Sequence, residues 1–163
     1  MSKKVVIAYA TNRGNAKLVA EKLNEKIPGS KVLNMAEASV ADLRGYDYLI
    51  LGTSSTGHGD IQKPWKDKLE ELAALDFSGK TVALFGLGNS KYHADTFAGG
   101  VSHLYDALHG KVAMEGATST EGYQFDTSNS VVDGKFVGLI IDQDNESDKT
   151  DGRVAAWLKT LGL

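Results

Sequence analysis

The first residues with binding chemistry form a polar segment, residues 11–16, that directly follows an apolar stretch. Thr11, Asn12 and Asn15 carry side chains that form hydrogen bonds, and Gly14 lets the backbone approach an anion closely. A helix-forming segment comes next, so backbone N–H groups and the positive end of a helix dipole meet at this loop. The pattern predicts a phosphate site at the carboxyl end of the first strand.

Two further loops combine glycines with polar and ring-bearing side chains. They are residues 52–60 and residues 86–95, and each follows an apolar stretch. Backbone groups in such loops can bind the edge of a flat heterocycle, while aromatic or imidazole rings cover its faces. The first loop lacks the Gly-Lys-Ser/Thr ending of a Walker loop, which argues against a nucleoside triphosphate, and it is not a GxGxxG motif either.

Composition limits the classes of function that remain. The chain has 163 residues, a net charge of −3 and no cysteine. These values exclude a thiolate nucleophile and a Cys-ligated metal, and they give no basic surface for nucleic acid. No apolar stretch approaches the roughly 20 residues of a membrane span. Residues 1–4 lead directly into a strand, so we expect no signal peptide and a cytoplasmic location.

Apolar stretches recur at the intervals of an α/β fold, at residues 5–9, 31–33, 48–51, 82–85 and 136–141. Amphipathic helical spacing separates them, and it predicts two helical faces among others, one with Trp65, Leu69 and Leu72 and a later one with Phe97, Val101 and Leu104. Nearly continuous apolar strands indicate burial on both faces, hence a parallel sheet covered by helices. We therefore predict an α/β protein, a three-layer doubly wound sandwich with a five-stranded parallel sheet, as one domain over residues 1–163.

One segment, residues 115–134, breaks this alternation. It is rich in Gly, Ser, Thr and Asp and shows no steady period, although it contains Tyr123 and Phe125. We predict a long inserted loop that interrupts the last strand. Such a loop contacts partners or simply packs on the surface, and the sequence leaves both alternatives open.

From end to end, the sequence resembles the long-chain flavodoxins. Residues 11–16 (Thr-Asn-Arg-Gly-Asn-Ala) are similar to that family's phosphate loop. Residues 52–65, with Gly-Asp-Ile-Gln at 59–62 and Trp at 65, are similar to its second loop, and residues 86–97 to its third. The segments 122–125 and 136–145 are similar to its inserted loop and last strand. The resemblance implies the strand order 2-1-3-4-5, with the last strand interrupted.

The resemblance also implies a bound flavin mononucleotide (FMN) and no catalytic or metal-binding residues. Residues 11–16 would surround the phosphate, two other loops would border the ring, and Asp144 would bind the ribityl chain. The implied cofactor-binding residues are Thr11, Asn12, Arg13, Gly14, Asn15, Ala16, Ser54, Ser55, Thr56, Gly57, Gly88, Asn89, Tyr92, His93, Asp95 and Asp144.

This chain departs from the family pattern at three of these positions. Arg13 stands where a hydroxyl is usual, and it either pairs with the phosphate or points to solvent. Thr56 stands where many members have a tryptophan against one ring face. His93 replaces a tyrosine that usually stacks on the other face, and the neighbouring Tyr92 is the alternative.

The function that the resemblance implies is that of a low-potential, one-electron carrier and not an enzyme. Its partners would be reductases and acceptor proteins containing flavin or iron–sulfur groups, which dock transiently on a monomer at the exposed flavin edge. The alternatives are an FMN-dependent quinone or azo reductase, and a binding module with weakened FMN affinity. Four lysines in or beside the ring-binding loops predict a flavin that is easier to reduce, namely Lys63, Lys66, Lys68 and Lys91.

Overall fold

A parallel sheet of five strands forms the centre of the structure, a computed structural model that describes residues 3–163. Residues 1–4 are predicted to lead directly into the first strand, and two of them, residues 1 and 2, lie outside the described residues. Along the sheet the strands run in the order β2-β1-β3-β5-β10, which is 2-1-3-4-5 among the five parallel strands. Their bounds are β1 Val5–Ala10, β2 Lys31–Asn34, β3 Tyr48–Thr56, β5 Thr81–Leu87 and β10 Leu139–Ile141. Two short strands extend the sheet, β4 Asp60–Ile61 antiparallel to β3, and β6 Ala113–Glu115 parallel to β5.

Helices cover both faces of this sheet, as the apolar strands predict. The helices are α1 Asn15–Lys26, α2 Lys63–Lys66, α3 Leu69–Ala73, α4 Gly100–Leu108 and α5 Gln143–Leu158, with a 3₁₀ turn at Val40–Leu43. Alternate residues of each strand point to opposite faces. Ile7 and Ile50 therefore pack in the cluster containing Val19 and Trp157, whereas Val6 and Leu49 pack in the other, with Val101 and Trp65. The two clusters make a three-layer sandwich. No helix among residues 3–163 is long and apolar enough to cross a membrane.

The last strand differs from the stretch predicted at residues 136–141. Only Leu139–Ile141 pairs with β5, whereas Lys135–Phe136 is a separate strand, β9, in a small antiparallel sheet. That sheet also contains β7 Thr118–Ser119 and β8 Val131–Val132. Val137 N–H donates to the carbonyl of Ser130 at 2.9 Å, so the chain stays bonded to the insertion up to this residue. It then approaches β5 closely at Gly138, where a Cβ would overlap the carbonyl of Leu84. The edge of the sheet is thus shared by β6 and β10, with the insertion between them.

Two helical predictions also need correction. Trp65, Leu69 and Leu72 were expected on one helical face, but the chain forms two short helices, α2 and α3. The break lies at Lys68, whose φ of −114° and ψ of 0° depart from regular helical values. Phe97 was expected in the next helix, but α4 begins only at Gly100.

Aromatic packing holds the insertion against the core. Phe97 and Phe125 stack with ring centroids 5.3 Å apart, and Tyr123 meets Phe136 edge to face at 4.9 Å. The Tyr123 hydroxyl donates to the carbonyl of Ile140 at 2.6 Å. Burial raises the pKa of Tyr123 to about 12. The insertion is therefore a packed element of the fold.

Candidate functional site

A groove of about 760 Å³ lies at the carboxyl ends of β1, β3 and β5, between the three loops that follow these strands. This volume falls within the range of roughly 300–1,000 Å³ typical of small-molecule sites. The position is the one at which open α/β sheets bind ligands. The groove is lined by Asn12, Arg13, Asn15, Ser54, Ser55, Thr56, Gly57, Gly59, Leu87, Gly88, Asn89, Tyr92, His93, Thr96, Ala98, Asp144 and Asn145.

The first loop leaves the start of α1 open to an anion. Gly14, with a φ of 93°, turns the chain into the helix, and its N–H donates to Thr11 Oγ1 at 2.9 Å. Within the described residues, no side chain caps α1 and no acidic residue occupies its first turn. The N–H groups at the beginning of a helix have no partner inside the helix. They and the helix dipole therefore favour a negatively charged group here.

Hydrogen bonds fix the second loop to the neighbouring strand and helix. Ser55 Oγ donates to the carbonyl of Leu87 at 3.0 Å and accepts from the N–H of Gly100 at 2.9 Å. The indole Nε1–H of the buried Trp65 donates to the carbonyl of Gly52 at 2.8 Å. Hydrogen bonds therefore connect the base of this loop to β5, α4 and α2.

The third loop is a tight turn organised by Asn89. Its Oδ1 accepts from the N–H groups of Lys91 and Tyr92, both at 3.1 Å, and from Asn145 Nδ2 at 2.8 Å. One more side chain connects this loop to the first one. The two carboxylate oxygens of Asp144 accept from Asn15 Nδ2 and from Asn89 Nδ2, each at 3.3 Å.

The structure brings twelve of the sixteen sequence-predicted site residues to the groove. The other four do not line it, for different physical reasons. Thr11 binds the N–H of Gly14 and shares a hydrogen bond with Ser54 Oγ at 3.3 Å, so it shapes the loop from behind. Gly14 forms the turn itself, Ala16 is fully buried in the core, and Asp95 is exposed to solvent.

Five residues that line the groove were not predicted from the sequence. They are Gly59, Leu87, Thr96, Ala98 and Asn145. A signal was available for Asn145, because it directly follows Asp144 in the segment that resembles the family's last strand. Gly59, Leu87 and Thr96 also lie in segments that resemble the family's second and third loops, whereas Ala98 lies outside them and carries no such signal.

Tyr92 and His93 both line the groove, so both remain available to cover a flat ligand. The Tyr92 side chain is 83% exposed, which is unusual for a large aromatic ring. Arg13 also lines the groove and is exposed. His58 is exposed and lies outside the set of lining residues.

The lysines expected near the ring-binding loops are partly neutralised. Lys66 Nζ lies 2.8 Å from Asp60 Oδ2, and Lys63 Nζ lies 2.6 Å from Asp67 Oδ2. The hydrogen bond from Lys66 lowers the pKa of the Asp60 carboxyl below its ordinary value. Among residues 3–163, no cluster of three or more His, Asp or Glu side chains could hold a metal ion.

Comparison with known proteins identifies the family. A sequence model of the family described as Flavodoxin matches residues 7–157. The chain is 42% identical to a flavodoxin of Helicobacter pylori (97% of this chain, 96% of the relative). It is 41% identical to flavodoxin 1 of Azotobacter vinelandii (97% and 95%). A crystal structure of Fusobacterium nucleatum flavodoxin bound to flavin mononucleotide superposes with a TM-score of 0.91 at 30% identity, covering 97% of this chain and 96% of that one. The chain therefore belongs to the flavodoxin family.

Proposed function

We propose that this protein binds one FMN non-covalently in the groove and carries single electrons between a reductase and acceptor proteins. One observation carries the proposal. The uncapped start of α1 and the two glycine-rich loops that follow β3 and β5 line the same groove. FMN, when bound, supplies the redox chemistry, and the protein supplies binding, orientation and electrostatics.

The residues present fit this cofactor at both of its ends. The open start of α1 suits the phosphate, and no carboxylate in its first turn opposes a dianion. At the other end of the site, Thr96 Oγ1 is buried without a hydrogen-bond partner in a residue that lines the groove. A buried hydroxyl without a partner is uncommon in native proteins, and a ligand is one of the ways to satisfy it.

Each loop has a distinct task in the proposed complex. Residues 11–16 bind the phosphate, with Thr11 and Gly14 fixing the loop and Asn12, Arg13 and Asn15 facing the groove. Asp144 binds the ribityl hydroxyls and holds Asn15 and Asn89 in place. The ring lies against residues 54–57 on one side, and against the third loop on the other. That loop contributes Gly88, Asn89 and either Tyr92 or His93, and Asp95 extends its rim.

The same proposal covers how the protein works with partners. It acts as a monomer and a single domain in the cytoplasm, and its partners dock transiently at the exposed edge of the flavin. The quinone or azo reductase alternative is not favoured by membership of the flavodoxin family. Steady oxidation of NAD(P)H by the purified chain alone would bring that alternative back.

The direct test is a titration of the apoprotein with FMN in which the fluorescence of the free flavin is measured. We expect quenching that saturates at one FMN per chain, with a dissociation constant below about 1 µM, or roughly 8 kcal/mol of binding free energy. Absence of quenching at FMN concentrations 100-fold above this dissociation constant would reject the proposal and favour a binding module that has lost the cofactor.

Arg13 provides a test of the phosphate end alone. Because Arg13 is exposed, its pairing with the phosphate is worth only about 0.2–1 kcal/mol. We therefore expect Arg13→Ala to weaken FMN binding about 1.4- to fivefold and to leave the affinity for riboflavin, which lacks the phosphate, unchanged. Lys159→Ala, which removes one positive charge just beyond the far end of α5, is the matched control. Equal FMN affinity in wild type and Arg13→Ala would mean that Arg13 points to solvent.

A further inference from the structure

The insertion makes a dense set of hydrogen bonds to the segment 94–98, which contains the end of the third loop and the residues directly after it. The N–H groups of Asp126 and Thr127 donate to the carbonyl of Ala94 at 2.8 and 3.1 Å, and Phe97 N–H donates to the carbonyl of Thr127 at 3.2 Å. These bonds lay the two segments side by side. No residue of 116–134 lines the groove, although the insertion touches its wall.

Three hydroxyls of the insertion bind carbonyls of the same segment. Thr127 Oγ1 donates to the carbonyl of Asp95 at 2.6 Å, and Ser128 Oγ donates to that of Phe97. Ser130 Oγ donates to the carbonyl of Ala98 at 2.6 Å, and both Ser130 and Ala98 are buried, with exposures of 0% and 1%. A buried carbonyl needs such a donor, because no water is available to replace it.

Ala98 is the residue through which this support reaches the groove. Its φ is +50°, a left-handed value that side chains other than glycine rarely adopt, so the surrounding structure has to hold it. Ala98 lines the groove, and its backbone packs against Gly88, another lining residue. A Cβ placed on Gly88 would lie 2.5 Å from Ala98 N. The position of Ala98 therefore sets the shape of the wall on both segments.

We infer that Ser130 is a positioning residue for the cofactor, and that the insertion preorganises the ring side of the groove through its hydroxyls without touching the ligand. This inference rests on the proposed FMN function. A wall held in advance binds more tightly than one that must be ordered on binding. Loss of the Ser130 hydroxyl lets the segment 94–98 relax away from the geometry that the ring needs.

The test compares Ser130→Ala with wild type in titrations with FMN, with riboflavin and with inorganic phosphate. The titrations are done at a temperature where circular dichroism shows both proteins fully folded. We expect FMN and riboflavin to bind about 5- to 10-fold more weakly by the same factor, since one hydrogen bond contributes roughly this much. Phosphate affinity should not change. A merely structural role would not produce this split between the two ends of the site.

The control and the second variant come from the same insertion. Ser119→Ala removes an exposed hydroxyl that accepts from the nearby N–H of Glu121, and this variant should bind FMN like wild type. Should Ser130→Ala fail to fold, the double variant Thr127→Val with Ser128→Ala removes the other two hydroxyl bonds and should show the same split. The inference would be overturned by a riboflavin affinity within twofold of wild type, or by a loss of affinity for FMN but not for riboflavin. Failure of wild type to bind FMN would instead reject the proposed function.

Discussion

Gly88→Ala should weaken FMN binding about 10- to 100-fold in a fluorescence titration. The new Cβ would lie 2.5 Å from Ala98 N and 2.9 Å from Ala98 Cα, and these backbone atoms have little room to move. Overpacking of this kind costs about 1–3 kcal/mol, and each 1.4 kcal/mol corresponds to a tenfold change in affinity. The strain falls on the wall of the groove, so we expect the loss of affinity together with a lower free energy of unfolding.

Gly152→Ala is the matched control for this variant. Gly152 lies within α5, and an added Cβ there would meet no atom within 4 Å. We expect FMN affinity equal to that of wild type and a free energy of unfolding higher by about 0.5–1 kcal/mol, since alanine favours a helix over glycine. If Gly88→Ala bound FMN within twofold of wild type, the close packing of Gly88 on Ala98 would have no part in the site.

Asp142→Ala should lower the free energy of unfolding by about 2–4 kcal/mol, measured by urea denaturation of the apoprotein. Asp142 is fully buried and caps α5. Its carboxylate accepts from Asn145 N at 3.3 Å, from Asn145 Nδ2 at 2.9 Å, and from both the N–H and the hydroxyl of Ser90. Alanine would remove a helix cap and leave buried donors without a partner, and each such loss is costly.

Asp148→Ala is the control for Asp142→Ala, because Asp148 lies in the same helix and is exposed. Its effect should stay within about 0.5 kcal/mol. We also expect Asp142→Ala to weaken FMN binding, since Ser90 and Asn145 connect the third loop to α5. A loss of less than about 1 kcal/mol in the free energy of unfolding would contradict the role of Asp142 in capping α5 and holding the third loop against it.

The parallel core was predictable from the sequence because its strands are buried on both faces. Stretches such as residues 48–51 and 82–85 are apolar throughout, so their composition alone indicates a covered parallel sheet. The edge was less predictable. Ala113–Glu115 pairs over only three residues, and Phe136 is fully buried although it belongs to the small second sheet. A short apolar stretch does not say which sheet it joins.

The site shows the same division. The positions of Asn12, Asn15 and Asp144 in the groove were predictable because these residues lie in local motifs that resemble those of the flavodoxins. These motifs follow the ends of β1 and β10. The segment that contains Thr96 and Ala98 is bound by distant residues of the insertion, Ser128 through the carbonyl of Phe97 and Ser130 through that of Ala98. That placement depends on contacts about 30 residues apart in sequence, which local patterns do not reveal.

The most direct test of the central claim is a crystal structure of this protein grown with excess FMN. We expect the phosphate at the start of α1 and the ring between residues 54–57 and the third loop. We also expect Tyr92 or His93 to cover one face of the ring. A flavin bound anywhere else, or a groove that stays empty while the protein is saturated with FMN, would contradict this claim.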